Sequence, residues 1–224
     1  MIDPTPERPM GPGRLITLDG VEGSGKSTQL ASLERALSAR GVPVLTTREP
    51  GGTPLGEALR RLVLDPAYTG MSARAELLVY LASRAEHVER IIRPALASGA
   101  IVLCDRFSEA TLAYQAYGRG LPLDEVERVI DVAVEGLRPD LVLVLDLPVE
   151  EGLQRIARRA ATNRLDRESV RFHQRVRDGY LALAAREPAR IRVFDARRPI
   201  EDLHREILDV VEPVCRRMAA DSLS

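Results

Sequence analysis

Leu15-Ile16-Thr17-Leu18-Asp19-Gly20-Val21-Glu22-Gly23-Ser24-Gly25-Lys26-Ser27-Thr28 is the stretch on which the reading of this chain turns. A short apolar run ends in an acid, a glycine-rich loop follows, and good helix formers come after Lys26. Residues 20–27 fit the spacing G-x-x-x-x-G-K-[ST], in the strand-then-helix context that the motif needs. Glycines let the backbone wrap an anion, so that amide N–H groups and the helix N-terminus face negative charge. In this reading Gly20, Val21, Glu22, Gly23, Ser24, Gly25, Lys26, Ser27 and Thr28 bind ATP. Lys26 reaches the β- and γ-phosphates, and the Ser27 hydroxyl ligates Mg2+. Lys26 is also the only lysine in the chain, every other strongly basic side chain being arginine. A compact ammonium kept only in this loop is informative, because the wide guanidinium fork does not replace it.

Further apolar runs of four to six residues recur at 43–46, 100–104, 141–145 and 191–194, rich in Val, Ile and Leu with little alternation. That pattern predicts strands buried on both faces, as in a parallel sheet. Helical spacing separates them over 25–39, 72–93, 124–137, 149–160, 167–186 and 199–211, with Ser72 as an N-cap and Pro199 at a first helical position. The alternation predicts a doubly wound α/β fold: a five-stranded parallel sheet flanked by helices. Residues 14–218 form one domain in this reading, with a Pro- and Gly-rich disordered leader over 1–13 and a frayed end over 219–224.

The chain has 224 residues, 45% of them hydrophobic, enough for one buried core. A formal charge of −1 gives no global basic field, so neither nucleic acid nor an anionic membrane is indicated as a partner. No apolar stretch nears the ~20 residues that cross a bilayer, and the N-terminus has no apolar signal core. Two cysteines make no disulfide framework, and Cys104, ending an apolar run, reads as a small buried hydrophobe. A cytoplasmic protein is expected.

Two further segments fall at strand ends, where the carboxyl edge of a doubly wound sheet binds ligands. Arg48 lies just after the second expected strand, and Asp105-Arg106 just after the third. Asp105 is a second candidate Mg2+ ligand. Two guanidiniums facing a phosphate loop suit a second, phosphate-bearing substrate, because the planar fork matches phosphate oxygens.

Taken together, several segments resemble the thymidylate kinases, which convert dTMP to dTDP on the way to dTTP. They are residues 19–28, Thr47-Arg48-Glu49-Pro50-Gly51-Gly52-Thr53, Tyr80-Leu81-Ala82-Ser83-Arg84, Asp105-Arg106-Phe107 with Thr111, Ala113-Tyr114-Gln115, Gly118-Arg119-Gly120 and Arg138-Pro139-Asp140-Leu141. The resemblance implies a P-loop nucleoside monophosphate kinase fold, ATP and dTMP as substrates, Mg2+, and a homodimer. It implies that Arg48 and Arg106 hold the acceptor phosphate and that Tyr80 stacks on thymine. Arg84 would read the base edge, Thr111 and Gln115 border it, and Tyr114 press on the sugar. Glu22 would approach the 3′-hydroxyl with support from Asp19, and Glu49–Pro50 would be a cis bond. The arginine-rich segment 155–171 would be a lid over ATP, with Arg155 binding nucleotide and Arg159 and Arg164 as catalytic cations. This chain departs from the family with Asn163-Arg164-Leu165-Asp166, where Asp-Arg-(Ile/Leu)-Glu is usual, and with Ala110, where a small hydroxyl residue is common.

Two other readings stay open at this point. A deoxynucleoside kinase would phosphorylate an uncharged hydroxyl, for which a double arginine clamp has no use. A regulatory P-loop ATPase would turn over ATP slowly and ignore any monophosphate.

Overall fold

The computed structural model describes residues 13–157 and 163–221. Each of the five apolar runs is a strand: β1 (Arg14–Asp19), β2 (Val44–Arg48), β3 (Ile101–Asp105), β4 (Leu141–Asp146) and β5 (Ile191–Asp195). They pair in parallel in the order β2-β3-β1-β4-β5. Burial on both faces holds for the three central strands only. Ile16, Leu18, Ile101, Leu103, Val142 and Leu143 are fully buried, whereas β2 is half-buried up to Thr47 and exposes Arg48, and β5 exposes Arg192 and Val193. An edge strand has one neighbour and thinner cover, so its composition alone overstates its burial.

The helices are α1 (Lys26–Ser38), α2 (Pro54–Leu64), α3 (Ala73–His87), α4 (Arg93–Ala97), α5 (Ser108–Thr111), α6 (Leu123–Val134), α7 (Val149–Ala157), α8 (Val170–Arg186) and α9 (Ile200–Asp221). Ser72 caps α3 as expected, its hydroxyl accepting from the Ala75 amide at 3.4 Å. The single helix expected over 72–93 is instead α3, a π-helical turn over Val88–Ile92, and α4. Pro94 has no N–H and crowds the carbonyl four residues back, and the widened turn accommodates it. A second π-helical segment, Leu112–Gly118, follows α5 and delivers Tyr114 and Gln115 to the functional crevice.

Sequence periodicity missed α2. Its start is nevertheless written in the chain: Thr53 accepts from the Gly56 amide at 2.9 Å, with Pro54 in the first turn. Helix α9 runs past its expected end at 211 and carries Pro213 inside it. Leu203, Ile207, Val211 and Val214 keep one buried face going, and that burial outweighs one lost backbone bond. Of the expected leader, residues 1–12 lie outside the described residues; Gly13 is buried and donates to the Leu96 carbonyl at 2.8 Å. No helix among the described residues is long and apolar enough to cross a membrane.

Strand order reverses about β1, so the loops after β1 and β3 open side by side, with Leu18 in register with Asp105. The loop after β1 needs its glycines. Gly20 sits at φ +128°, and a Cβ there would lie 2.4 Å from the Leu145 carbonyl oxygen; at Gly23, φ +74°, it would lie 2.5 Å from that of Gly152.

Candidate active site

A cavity of about 330 Å³ opens at the carboxyl edge of the sheet. Glu22, Gly23, Gly25, Lys26, Ser27 and Thr28 of the glycine-rich loop line it, together with Asp105 at the end of β3, Arg106 just after it, and Tyr80 and Arg84 from α3. Thr111, Tyr114 and Gln115 complete the wall opposite, and Arg155 reaches in from α7. Fourteen sequence-predicted residues thus meet around one space drawn from five stretches of chain.

The Lys26 ammonium is held by the loop itself, donating to the carbonyls of Gly20 at 3.1 Å and Val21 at 2.8 Å and to the Ser24 hydroxyl at 3.3 Å. Burial and the nearby Arg106 charge pull its pKa down to about 8, against the pull of Asp105, Glu22 and Asp19. An incoming phosphate restores the charge partner that the loop only partly supplies. Gly20, Val21 and Ser24 therefore serve as backbone and anchor behind the cavity wall.

Arg106 is the hub. It adopts φ +71°, a conformation that costs a non-glycine residue of order 1–3 kcal/mol and persists where surrounding contacts enforce it. Those contacts are explicit: its guanidinium donates to the Gly20 carbonyl, the Tyr180 hydroxyl and Glu22 Oε1, each at 3.2 Å, and lies 4.9 Å over the Tyr114 ring. Tyr114 also donates to Glu22 Oε1 at 2.5 Å. Burial alone would raise the Glu22 pKa, but His173, Arg106, Lys26 and Tyr114 outweigh it and hold the carboxylate ionised, below its usual range.

Asp19 is fully buried behind this cluster rather than in the cavity wall, accepting from Thr17 at 3.3 Å and from Tyr180 at 3.1 Å. Burial, then the Glu109 charge, raise its pKa to about 7 against Arg106, Tyr180 and Lys26. A carboxyl with a raised folded-state pKa binds more protons folded than unfolded, so it removes stability as pH climbs from about 4 to 7. Asp19→Asn is accordingly expected to gain little stability near pH 4 and up to roughly 4 kcal/mol above pH 7. Urea unfolding at pH 4.5, 6 and 8 checks this, and a gain that does not grow with pH refutes it.

Tyr80 is half-buried on the cavity wall, and burial pushes its phenol pKa up, so it presents a neutral ring. Arg84 is buried and well partnered: it donates to Glu49 Oε2 at 2.6 Å, the Thr111 hydroxyl at 2.8 Å and the Phe107 carbonyl at 2.8 Å. Five guanidinium N–H groups leave two for a ligand. Glu49 is held again by His87 at 3.0 Å, and the Glu49–Pro50 bond is cis as the resemblance implied. Gln115 donates to Glu76 at 2.8 Å.

Two arginines stand elsewhere than expected. Arg48 turns outward, its side chain 54% exposed and donating to both oxygens of Glu57 at 3.0 and 3.1 Å, and it does not line the cavity. Glu57 is fixed in the first turn of α2 by the Gly52 amide at 3.0 Å, so the pair forms where α2 starts. Arg60, one turn further along α2, does line the cavity. Burial, then the Arg48 charge, lower its pKa, the mark of a basic pair that an anion would relieve. Sequence reading missed Arg60 because it missed α2.

Arg164 also stands off the cavity. It is 3% exposed, donates to Glu76 at 2.5 Å and to the Val63 carbonyl at 3.0 Å, and lies off the cavity wall. Glu76 is fully buried and also receives Arg119 at 2.9 and 3.0 Å, while Arg119 reaches Glu168 at 2.7 Å. Arg164 thus joins the segment after the arginine-rich stretch to α3 through a buried ion pair with Glu76. Arg155 donates to the Gly23 carbonyl at 3.2 Å, and Arg159 lies outside the described residues. The altered acids form a local turn: Asn163 accepts from the amides of Leu165 and Asp166, and Asp166 accepts from that of Asn163. Asp166 also lines the cavity, with a buried Oδ1 that has no hydrogen-bond partner.

A divalent cation fits the donors present. Asp105 Oδ1 is buried without a hydrogen-bond partner and shares the cavity with the Ser27 hydroxyl, an all-oxygen set suited to Mg2+.

Comparison with known proteins agrees with this geometry. The family model described as thymidylate kinase matches residues 18–207. The thymidylate kinase of Desulfovibrio desulfuricans is 48% identical over 209 residues, covering 90% of this chain and 96% of that protein. That of Pseudomonas savastanoi pv. phaseolicola is 51% identical over 202 residues, covering 90% and 95%. The crystal structure of thymidylate kinase from Ehrlichia chaffeensis superposes with a TM-score of 0.73 at 35% identity, over 90% of this chain and 99% of that one. With a phosphate loop, a strand-end Asp-Arg pair and an aromatic pocket on one cavity, and relatives this similar over nearly its whole length, the chain belongs to the thymidylate kinase family.

Proposed function

We propose that this protein transfers the γ-phosphoryl group of ATP to dTMP, giving dTDP for dTTP synthesis in the cytoplasm. The observation that carries the reading is Arg106, a partly buried guanidinium bonded to the phosphate loop and lining the cavity that Tyr80, Thr111 and Gln115 also line. The acceptor phosphate is already ionised at neutral pH, so transfer needs positioning and charge neutralisation rather than a strong base. Lys26 takes the β- and γ-phosphates, Arg106 and Arg60 take the acceptor phosphate, and Arg155 and Arg159 close from the arginine-rich lid. Ser27 and Asp105 would hold Mg2+, which would supply charge neutralisation at the transferring phosphate. Tyr80 stacks on thymine, with Arg84, Thr111 and Gln115 at the base edge. Tyr114 presses on the sugar, and Glu22, backed by Asp19, takes the 3′-hydroxyl. Closure of the lid excludes water from the γ-phosphate.

A coupled ADP-release assay with Mg2+ and dTMP, dUMP, dCMP, dGMP, AMP or thymidine tests this. Turnover with dTMP is expected well above the rest, with dUMP the nearest, since one methyl in an apolar pocket is worth only ~1 kcal/mol. Turnover with thymidine instead, or ATP use indifferent to any acceptor, overturns it. The same reading includes a homodimer through α3 and the α6 helix packed on it, where Leu78 and Val132 are 61% and 79% exposed. Sedimentation at micromolar concentration decides between dimer and monomer.

A further inference from the structure

Tyr180 belongs to none of the motifs above, yet its hydroxyl joins the ends of two strands. It accepts from Arg106 at 3.2 Å and donates to Asp19 Oδ1 at 3.1 Å, while its ring is 1% exposed and meets Tyr114 edge-on at 6.4 Å. Asp19 ends β1 and Arg106 follows β3, so one phenolic oxygen bridges the two edges of the crevice. Seven residues earlier on α8, two helical turns away and on the same face, His173 Nδ1 stands 3.3 Å from Glu22 Oε2, an oxygen with no regular hydrogen bond. Helix α8 therefore grips both members of the Arg106–Glu22 pair, which are themselves 3.2 Å apart. The same helix starts at Val170, directly after the turn that Arg164 and Arg119 pin to α3.

We propose that Tyr180 is a positioning residue for phosphoryl transfer, its hydroxyl fixing the Arg106 guanidinium to the end of β1 so that α8 sets where the acceptor phosphate is held. The inference rests on the function proposed above. Arg106 has a rare backbone conformation and a long side chain, and its fork needs a fixed partner on each nitrogen to keep one aim. Glu22 holds Nη2, and Tyr180 shares Nη1 with the Gly20 carbonyl, so that α8 reaches both nitrogens of the fork. A hydrogen bond to a charged group that is lost on one side costs about tenfold in the quantity it supports.

Tyr180→Phe keeps the ring and its packing and removes only the bridge. Steady-state kinetics should show kcat/KM for dTMP lowered about tenfold, with KM for dTMP raised and KM for ATP within twofold of the parent. In an Arg106→Lys background, which has no fork to aim, the same change should cost less than twofold. Unchanged dTMP kinetics in Tyr180→Phe overturn the assignment. So does an equal loss for both substrates that tracks a lowered melting temperature, or a full tenfold loss in the Arg106→Lys background, since packing alone would produce either. Absence of dTMP turnover in the parent overturns the proposed function and this assignment with it, whereas an active parent matched by Tyr180→Phe overturns the assignment alone.

Discussion

Arg106→Ala is expected to lower kcat/KM for dTMP by ~10³-fold or more while changing KM for ATP little. Arg106 lines the cavity at the end of β3 and is tied directly to the phosphate loop through the Gly20 carbonyl, which suits it to stand between donor and acceptor phosphates. Its cost is prepaid in the fold: the φ of +71° and the cage of Glu22, Tyr114 and Tyr180 aim the fork before substrate arrives. Preorganised charge of this kind acts most where water is excluded. Arg106→Lys should recover part of the rate, since charge returns without the bidentate geometry. Kinetics with each substrate varied in turn checks the split, and a variant within tenfold of the parent would remove Arg106 from the centre of the mechanism. Melting curves on the same samples separate any loss of fold, because Glu22 also loses a partner.

Arg164→Ala should act the other way round, on stability first. Its ion pair with Glu76 is dry on both sides, 3% and 0% exposed. Breaking a buried pair by removing one partner typically costs 3–5 kcal/mol. Glu76 retains Arg119 and Gln115, which puts the expected loss at the low end, about 3 kcal/mol. For a domain of this size that corresponds to a melting point lower by roughly 6–12 °C. Turnover below the new melting point should stay within about tenfold of the parent, the range left to a displaced lid. A kcat that collapses at unchanged melting temperature would return Arg164 to the role of transition-state cation.

What the sequence showed and what it left open have a common physical origin. What the sequence determined by itself was local. Five runs of Val, Ile and Leu could bury only as sheet, and Gly20 to Ser27 could wrap only an anion, because conformation and spacing within a few residues decide both. Ser72 as a cap was legible for the same reason, whereas the cis Glu49–Pro50 bond was implied by the family resemblance. What tertiary structure decided was the partner of each long charged side chain. Thirty-two basic residues meet thirty-three acidic ones in this chain, and nothing local tells which arginine meets a phosphate and which a carboxylate. Glu57 at the start of α2 claims Arg48 and leaves Arg60 for the cavity; Glu76, buried on α3, claims Arg164. Tyr180 was unreadable for a related reason. It lies 161 residues from Asp19, and only the packing of α8 across the sheet edge brings its hydroxyl between Asp19 and Arg106.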